Sequence, residues 1–291
     1  MNCIASRKLE LAHAALSWEE GVPLSGAPGA EAPVIVFLHG LAGGGFCWRA
    51  QLQAWSGRAR CLAPDLPGYG ASTLPPSDSA SLAALSASII AWLDALGIAR
   101  CRLAGSSWGG SIALWLAAAS PARIERLLLV SPLHPDFSPD RRQRLLLHPP
   151  LARLAARLLQ LGPRRLRRWA LEEMYGDPRR LSAAVFAAYA GALAGPGFPR
   201  AAAAYVAPWR RDQAALRLLL PGLRLPIMLL WGDRDRVLPP AGAAPLLARL
   251  PPGAAFRPLP GLGHLPYQEC PAAFAAAAAP FLLQSCSSNG I

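Results

Sequence analysis

Six short runs suited to buried strands, each closed by a turn rich in Gly, Pro, Asp or His, constrain this chain more than any other feature. They fall at residues 34–38, 60–63, 100–104, 127–130, 227–231 and 256–259. A continuous apolar run such as Val34-Ile35-Val36-Phe37-Leu38 is what a strand looks like when a parallel sheet covers it on both faces. Helical patterns lie between the runs, around 48–55, 81–96, 110–119 and 245–250, and a last helix is expected over 274–283. Alternating strands and helices predict an α/β chain with a mostly parallel central sheet and flanking helices. Residues 8–20 alternate weakly and suit an antiparallel opening hairpin, which makes the run at 127–130 the sixth strand. In such sheets, sites form where loops leave the carboxyl ends of strands.

The pattern changes after the sixth strand. Residues 136–222 carry no strand signal but several helices punctuated by Pro and Gly. Leu151, Leu154, Ala155 and Leu158 mark one apolar stripe, with Arg153 and Arg157 on the opposite face. Pro150 is suited to a first helical turn, and Gly162-Pro163 ends that helix. Further helices are expected over 166–174, 181–193 and 201–219, the last kinked or broken at Pro208. Inserted at this point, the block would cover the carboxyl ends of the strands. The expected division is therefore a core of residues 1–135 and 223–291 with a helical lid at 136–222.

The chain has 291 residues, 53% of them apolar and 16% charged, which argues against disorder. No stretch is long and apolar enough to read as a membrane span. Arg7, Lys8, Glu10 and His13 stand where a secretory signal would need its apolar core, so a cytoplasmic location is expected. Six cysteines (Cys3, Cys47, Cys61, Cys101, Cys270 and Cys286) lack metal-ligand spacing and read as reduced thiols. The formal charge is +12, and residues 136–222 hold fifteen arginines against six acids. No acid occurs between positions 141 and 171. That segment reads either as a solvated outer face or as a surface for weak peripheral contact with an anionic membrane. Nucleic acid is not an expected partner, because no recognised module or basic-aromatic groove accompanies the charge.

Gly105-Ser106-Ser107-Trp108-Gly109 lies between the strand run at 100–104 and an Ala/Leu-rich helix. Glycines two places either side of Ser107 let a strand turn sharply into a helix, with the hydroxyl held exposed at the tip. Serine at neutral pH needs a base, usually a histidine oriented by a carboxylate. Of His13, His39, His134, His148 and His264, the last lies in a loop between the final strand and the final helix, suited to swinging an imidazole over the sheet. Asp235, just past the strand at 227–231, is the candidate carboxylate. Asp233 reads better as a turn former, and Asp136 is a second alternative.

The order Ser107, Asp235, His264 is the nucleophile–acid–base order of one fold. With the His39-Gly40 turn, the Asp65-Leu66-Pro67-Gly68-Tyr69-Gly70 turn, the Gly105–Gly109 elbow, Asp235 in its Gly-Asp-Arg-Asp setting and Gly263-His264 followed by Pro266 and Glu269, the chain resembles the α/β-hydrolase superfamily. The likeness is to its serine-nucleophile, lid-bearing, esterase-like branch. It implies that Ser107 attacks an acyl carbonyl, that His264 relays the proton and that Asp235 fixes the imidazole. It further implies an oxyanion hole from the backbone N–H groups of Leu41 and Trp108, a bracing role for His39, and no cofactor. A small or medium apolar ester is the implied substrate. Haloalkane dehalogenases and typical epoxide hydrolases of the superfamily carry an aspartate at the elbow, which this chain lacks. Trp108 after the serine resembles proline iminopeptidases, and Glu172-Glu173 could bind an amino terminus. However, His39-Gly40-Leu41-Ala42-Gly43 departs from the His-Gly-Gly-Pro-Gly of that family. Carbon–carbon bond hydrolysis remains open, as does a catalytically silent member of the fold that binds a small molecule or partner.

Overall fold

A computed structural model describes residues 3–11, 14–23, 29, 32–74 and 80–284. His13, Cys286 and the tail from Ser285 lie outside the described residues. Eight strands form one sheet in the order β1-β2-β4-β3-β5-β6-β7-β8. β1 (Cys3–Glu10) and β2 (Ala15–Val22) form the expected antiparallel hairpin, and β2 joins β4 (Arg60–Pro64) antiparallel. From there inward every pairing is parallel: β4 with β3 (Val34–Leu38), β3 with β5 (Cys101–Ser106), β5 with β6 (Ile124–Val130), β6 with β7 (Ile227–Gly232) and β7 with β8 (Ala255–Leu259). The α/β class and the mostly parallel sheet are as the sequence predicts.

The continuous apolar runs are needed because both faces are covered. Successive side chains of a strand point to opposite faces, so Val36 and Leu38 enter one core while Ile35 and Phe37 enter the other. The first core is filled by α2 (Leu82–Ala95) and α3 (Trp108–Ala119), the second by α1 (Arg49–Trp55) and α12 (Pro271–Leu282). Local signals set the ends of these helices. The Ser81 hydroxyl caps α2 by accepting the Ala84 N–H at 3.2 Å, and Gly97, at φ +66°, ends the turn beyond it. Short helices α10 (Ala243–Leu247) and α11 (Pro266–Glu269) complete the second half of the sheet's cover.

Between β6 and β7 the chain runs through α4 (Arg141–Leu146), α5 (Pro149–Leu161), α6 (Arg164–Glu172), α7 (Ala183–Ala194), α8 (Phe198–Val206) and α9 (Trp209–Leu219). Pro208 separates α8 from α9, dividing the helix expected over 201–219. Helix α4 was not anticipated by apolar periodicity. It begins at a capping box in which Asp140 and Gln143 exchange side chain–backbone bonds. No helix among the described residues is long and apolar enough to cross a membrane.

Helix α5 faces the opposite way from what its leucine stripe suggests. Ala152 and Ala156 are the buried positions, while Leu151, Leu154, Leu158 and Leu161 are exposed. The reason is steric. α5 packs on α8, which presents Ala201 and Ala204, and small residues on both sides allow close approach of the two backbones. Two expected outcomes follow from this orientation. Ala156→Leu should overpack the α5–α8 contact and cost about 1–3 kcal/mol, whereas Leu154→Ser should change stability by no more than about 0.5 kcal/mol. Urea unfolding of both variants checks this, and the reverse order of effects would contradict the packing described.

Candidate active site

The turn after β5 is strained and over-determined. Ser107 sits at φ 54°, ψ −119°, a left-handed conformation that costs a non-glycine residue about 1–3 kcal/mol. Its N–H donates to the Val130 carbonyl at 3.0 Å, and its carbonyl accepts the Gly110 and Leu133 N–H groups, each at 2.9 Å. These three bonds hold the turn while leaving the side chain half-exposed at the head of α3. Glycine is required at 105 and 109 by contact. A Cβ on Gly105 would run into the Gly109 carbonyl, and one on Gly109 into the carbonyls of Leu38 and His39. The elbow therefore works only if α3 can press its first turn against β3 and β5.

The turn after β3 lies against that serine. A Cβ built on Gly40 would stand 3.0 Å from Ser107 Cβ and 3.5 Å from its Oγ, so any side chain there would crowd the hydroxyl. The N–H groups of Leu41 and Trp108 have no hydrogen-bond acceptor among the described residues. His39 braces the turn: its Nδ1 lies 2.7 Å from the Gly40 carbonyl, and its Nε2 accepts the Leu66 N–H at 2.9 Å. Those partners fix the neutral imidazole with its proton on Nδ1, and burial pushes its pKa down. Asp65 anchors the neighbouring turn, accepting the Gly45 N–H at 2.8 Å and the Ser17 hydroxyl at 2.6 Å.

Of the three candidate acids, Asp235 joins His264. His264 Nδ1 lies 2.8 Å from Asp235 Oδ2, and both side chains are buried. The other oxygen, Oδ1, accepts the N–H groups of Val237 and Leu238 at 2.9 and 2.8 Å, so the carboxylate is fixed from both sides. With Nδ1–H donated to the carboxylate, Nε2 is left as the basic nitrogen. Asp233 is exposed and accepts the Gly261 N–H at 2.7 Å, a turn role that ties the β7 turn to the His264 loop. Asp136 is held by Arg249 and, at 3.2 Å, by Arg217; the Arg249 guanidinium keeps its carboxyl below the usual range.

Glu269 places the His264 loop, a role the sequence motif did not disclose. Its fully buried carboxylate accepts three backbone N–H groups: Gly263 at 2.7 Å and Gly176 at 2.9 Å on Oε2, and Asp177 at 2.8 Å on Oε1. His264 N–H itself donates to the Met174 carbonyl at 2.7 Å. Loop 261–264 and segment 174–177 therefore meet backbone to backbone, and a Cβ on Gly263 would collide with Gly176 N. The available signal was an acid five residues beyond the histidine, buried by the short helix α11.

Helix α8 of the interstrand segment brings a tyrosine beside the elbow. Tyr205 on α8 is buried; its hydroxyl donates to the Pro67 carbonyl at 3.0 Å. Its ring lies 5.1 Å from Tyr69 and 6.1 Å from Trp108, centroid to centroid. Of the remaining histidines, His148 is exposed at the start of α5. His134 is buried edge-on to Trp231, and burial lowers its pKa to about 4. No group of three or more His, Cys, Asp or Glu among the described residues is placed to hold a metal ion.

Residues 33–269 match the family model described as alpha/beta hydrolase fold. The chain belongs to the α/β-hydrolase fold family. Epoxide hydrolase 4 of Mus musculus is 38% identical over 105 residues, 36% of this chain and 29% of that protein, so the chain matches under a third of that relative's length. The magnesium-chelatase 30 kDa subunit of Rhodobacter capsulatus is 29% identical over 243 residues, 81% of this chain and 82% of the subunit. The enol-lactonase of Burkholderia xenovorans superposes with a TM-score of 0.78 at 24% identity, over 96% of this chain and all of that one (100%). Proteins named as hydrolases, an epoxide hydrolase and an enol-lactonase, are thus among those the chain resembles.

Two expected outcomes follow. Glu269→Gln retains shape but turns one acceptor into a donor, leaving at least one buried N–H unpaired; unfolding stability should fall by about 1–3 kcal/mol. Chemical denaturation measures it, and no loss would contradict the role given to this carboxylate. For His134, the usual pKa of 6.5 falls to about 4 in the fold. Between those values the unfolded chain binds a proton that the folded one does not, so stability drops as pH falls through this window, by about 2 kcal/mol at about pH 5. His134→Gln should flatten that slope in melting curves recorded against pH; an unchanged slope would count against it.

Proposed function

We propose that this α/β-hydrolase fold protein is a serine hydrolase that cleaves small or medium apolar esters by way of an acyl-enzyme. The observation that carries the proposal is the buried Asp235–His264 hydrogen bond at 2.8 Å, with Ser107 held at a strained elbow on the same edge of the sheet. In the proposed reaction, Ser107 Oγ forms a bond to the acyl carbon as its proton passes to His264 Nε2. The resulting imidazolium is stabilised by Asp235 through Nδ1–H. The carbonyl oxygen takes up the electron pair and accepts hydrogen bonds from Leu41 and Trp108. These two N–H groups are free of other acceptors among the described residues, as an oxyanion hole requires. Collapse of the tetrahedral species expels the alcohol, protonated by His264. Water then repeats the sequence, releasing the acid and restoring Ser107.

The substrate preference is inferred from the surroundings. Trp108 and Tyr205 offer aromatic surface beside the elbow, and residues 136–222 are proposed to act as a lid that excludes water from it. Because both oxyanion donors belong to the backbone, substitutions at Leu41 or Trp108 keep the N–H groups and should alter acyl preference more than chemistry.

A second reading has one observation in its favour. One relative that matches over most of both chains is named as a chelatase subunit, a name that describes no hydrolysis. In that reading the chain binds a small molecule or partner through the same cleft without turnover. Labelling with a fluorophosphonate separates the two: the hydrolase reading expects one adduct, on Ser107, lost on denaturation. Ser107→Ala should lower kcat on a chromogenic ester by about 10⁴–10⁶-fold. A variant as fast as the wild type would reject the assignment of Ser107.

A further inference from the structure

The outward face of α5 is an apolar ridge left exposed among the described residues. Leu151, Leu154, Leu158 and Leu161 are spaced at i, i+3, i+7 and i+10, which aligns them along one side of the helix. Their exposures are 40%, 53%, 56% and 81%. Leu145 and Leu146 on the adjoining α4 are 58% and 49% exposed, so the ridge continues across the helix junction. Scattered exposed leucines are ordinary, but a contiguous set in helical register on a neighbour-free face marks a docking surface.

The charge around the ridge says what would dock. The side chains of Arg141, Arg142, Arg153, Arg157 and Arg165 form no hydrogen bond or ion pair among the described residues. Arg153 and Arg157 do not take the opposite face expected from the sequence: both are exposed like the leucines. In helical projection Arg157 lies beside the leucine row with Arg153 one step further round, while Ala152 and Ala156 hold the buried side. No acid interrupts residues 141–171. Trp169 on α6 adds an aromatic side chain, 55% exposed, to the same basic segment.

We propose that α4 and α5 dock this protein onto an anionic lipid bilayer. The leucine ridge would enter the headgroup–acyl boundary, and the unpaired guanidinium groups would meet lipid phosphates. An amphipathic helix lying in the interface, apolar on one side and arginine-flanked, has the composition this mode of binding needs. A second copy of the chain fits less well, because a two-fold contact through the ridge would bring two unpaired arginine fields together. The opposite side of α5 packs on α8, the helix whose Tyr205 stands beside Trp108. Docking would thus set the cleft's wall one helix away from lipid. The proposal stands independently of whether Ser107 is catalytic.

Sedimentation of the full chain with extruded vesicles tests it, using phosphatidylcholine alone or mixed with phosphatidylglycerol, at low and high salt. Binding is expected on the mixed vesicles at low salt and should weaken as salt is raised. Leu154→Ser combined with Leu158→Ser should reduce partitioning about tenfold or more. Arg153→Gln combined with Arg157→Gln should reduce it by about thirtyfold. Both pairs lie on an exposed face and should keep the wild-type melting curve, which separates lost docking from lost folding. Equal recovery on neutral vesicles, no binding to either, or a leucine double variant that binds like the wild type would overturn the proposal. So would a leucine-dependent dimer in light scattering without vesicle binding.

Discussion

One buried carboxylate holds the two halves of this architecture in register. The Glu269 carboxylate is fully buried, with the Arg180 guanidinium 3.7 Å from Oε1, and a charge left without partners in that position would be prohibitively costly. Its oxygens are satisfied by three backbone N–H groups, one from the loop that carries His264 and two from the segment that follows α6. The imidazole therefore cannot adjust without disturbing the insertion, and the insertion cannot lift at this end without freeing the loop. Gly263 and Gly176 make the arrangement feasible, since side chains at either position would separate the two backbones.

The second constraint lies at the elbow. A strained serine persists only where its surroundings supply more than the strain costs. Here the neighbouring strand supplies the acceptor for its N–H, and two donors meet its carbonyl. The parallel order β3-β5-β6-β7 then places the Gly40 turn, the serine and the Asp235 turn at the carboxyl ends of β3, β5 and β7, on one edge of the sheet. His39, held neutral by burial and by its two backbone partners, keeps the Gly40 turn from moving relative to the turn at Asp65. The fixed groups around Ser107 are backbone or buried, and this is the preorganisation that acyl transfer would exploit.

Much of this was legible in the residues. The strand runs, the hairpin, the break at Pro208 and the acid that pairs with His264 follow from local rules: two-sided burial, helix-breaking proline and turn chemistry. What was not legible depended on packing. The leucines of α5 read as an inward stripe because amphipathicity alone has no sign. The alanine surface of α8 decides which side is buried, and that partner is distant in sequence. Glu269 likewise shows no periodicity, since its role is to collect N–H groups from two loops about ninety positions apart. Helix α4 was missed because its start is written in a capping box, not in apolar spacing.

The central claim is that Ser107, His264 and the two turn N–H groups act on one carbonyl. The most direct test is a crystal structure of the chain after reaction with a phosphonate ester. The account predicts a covalent bond from Ser107 Oγ to phosphorus, with the phosphoryl oxygen accepting from the Leu41 and Trp108 N–H groups and His264 Nε2 facing the leaving-group position. An adduct on another residue, or a phosphoryl oxygen turned away from both N–H groups, would contradict it.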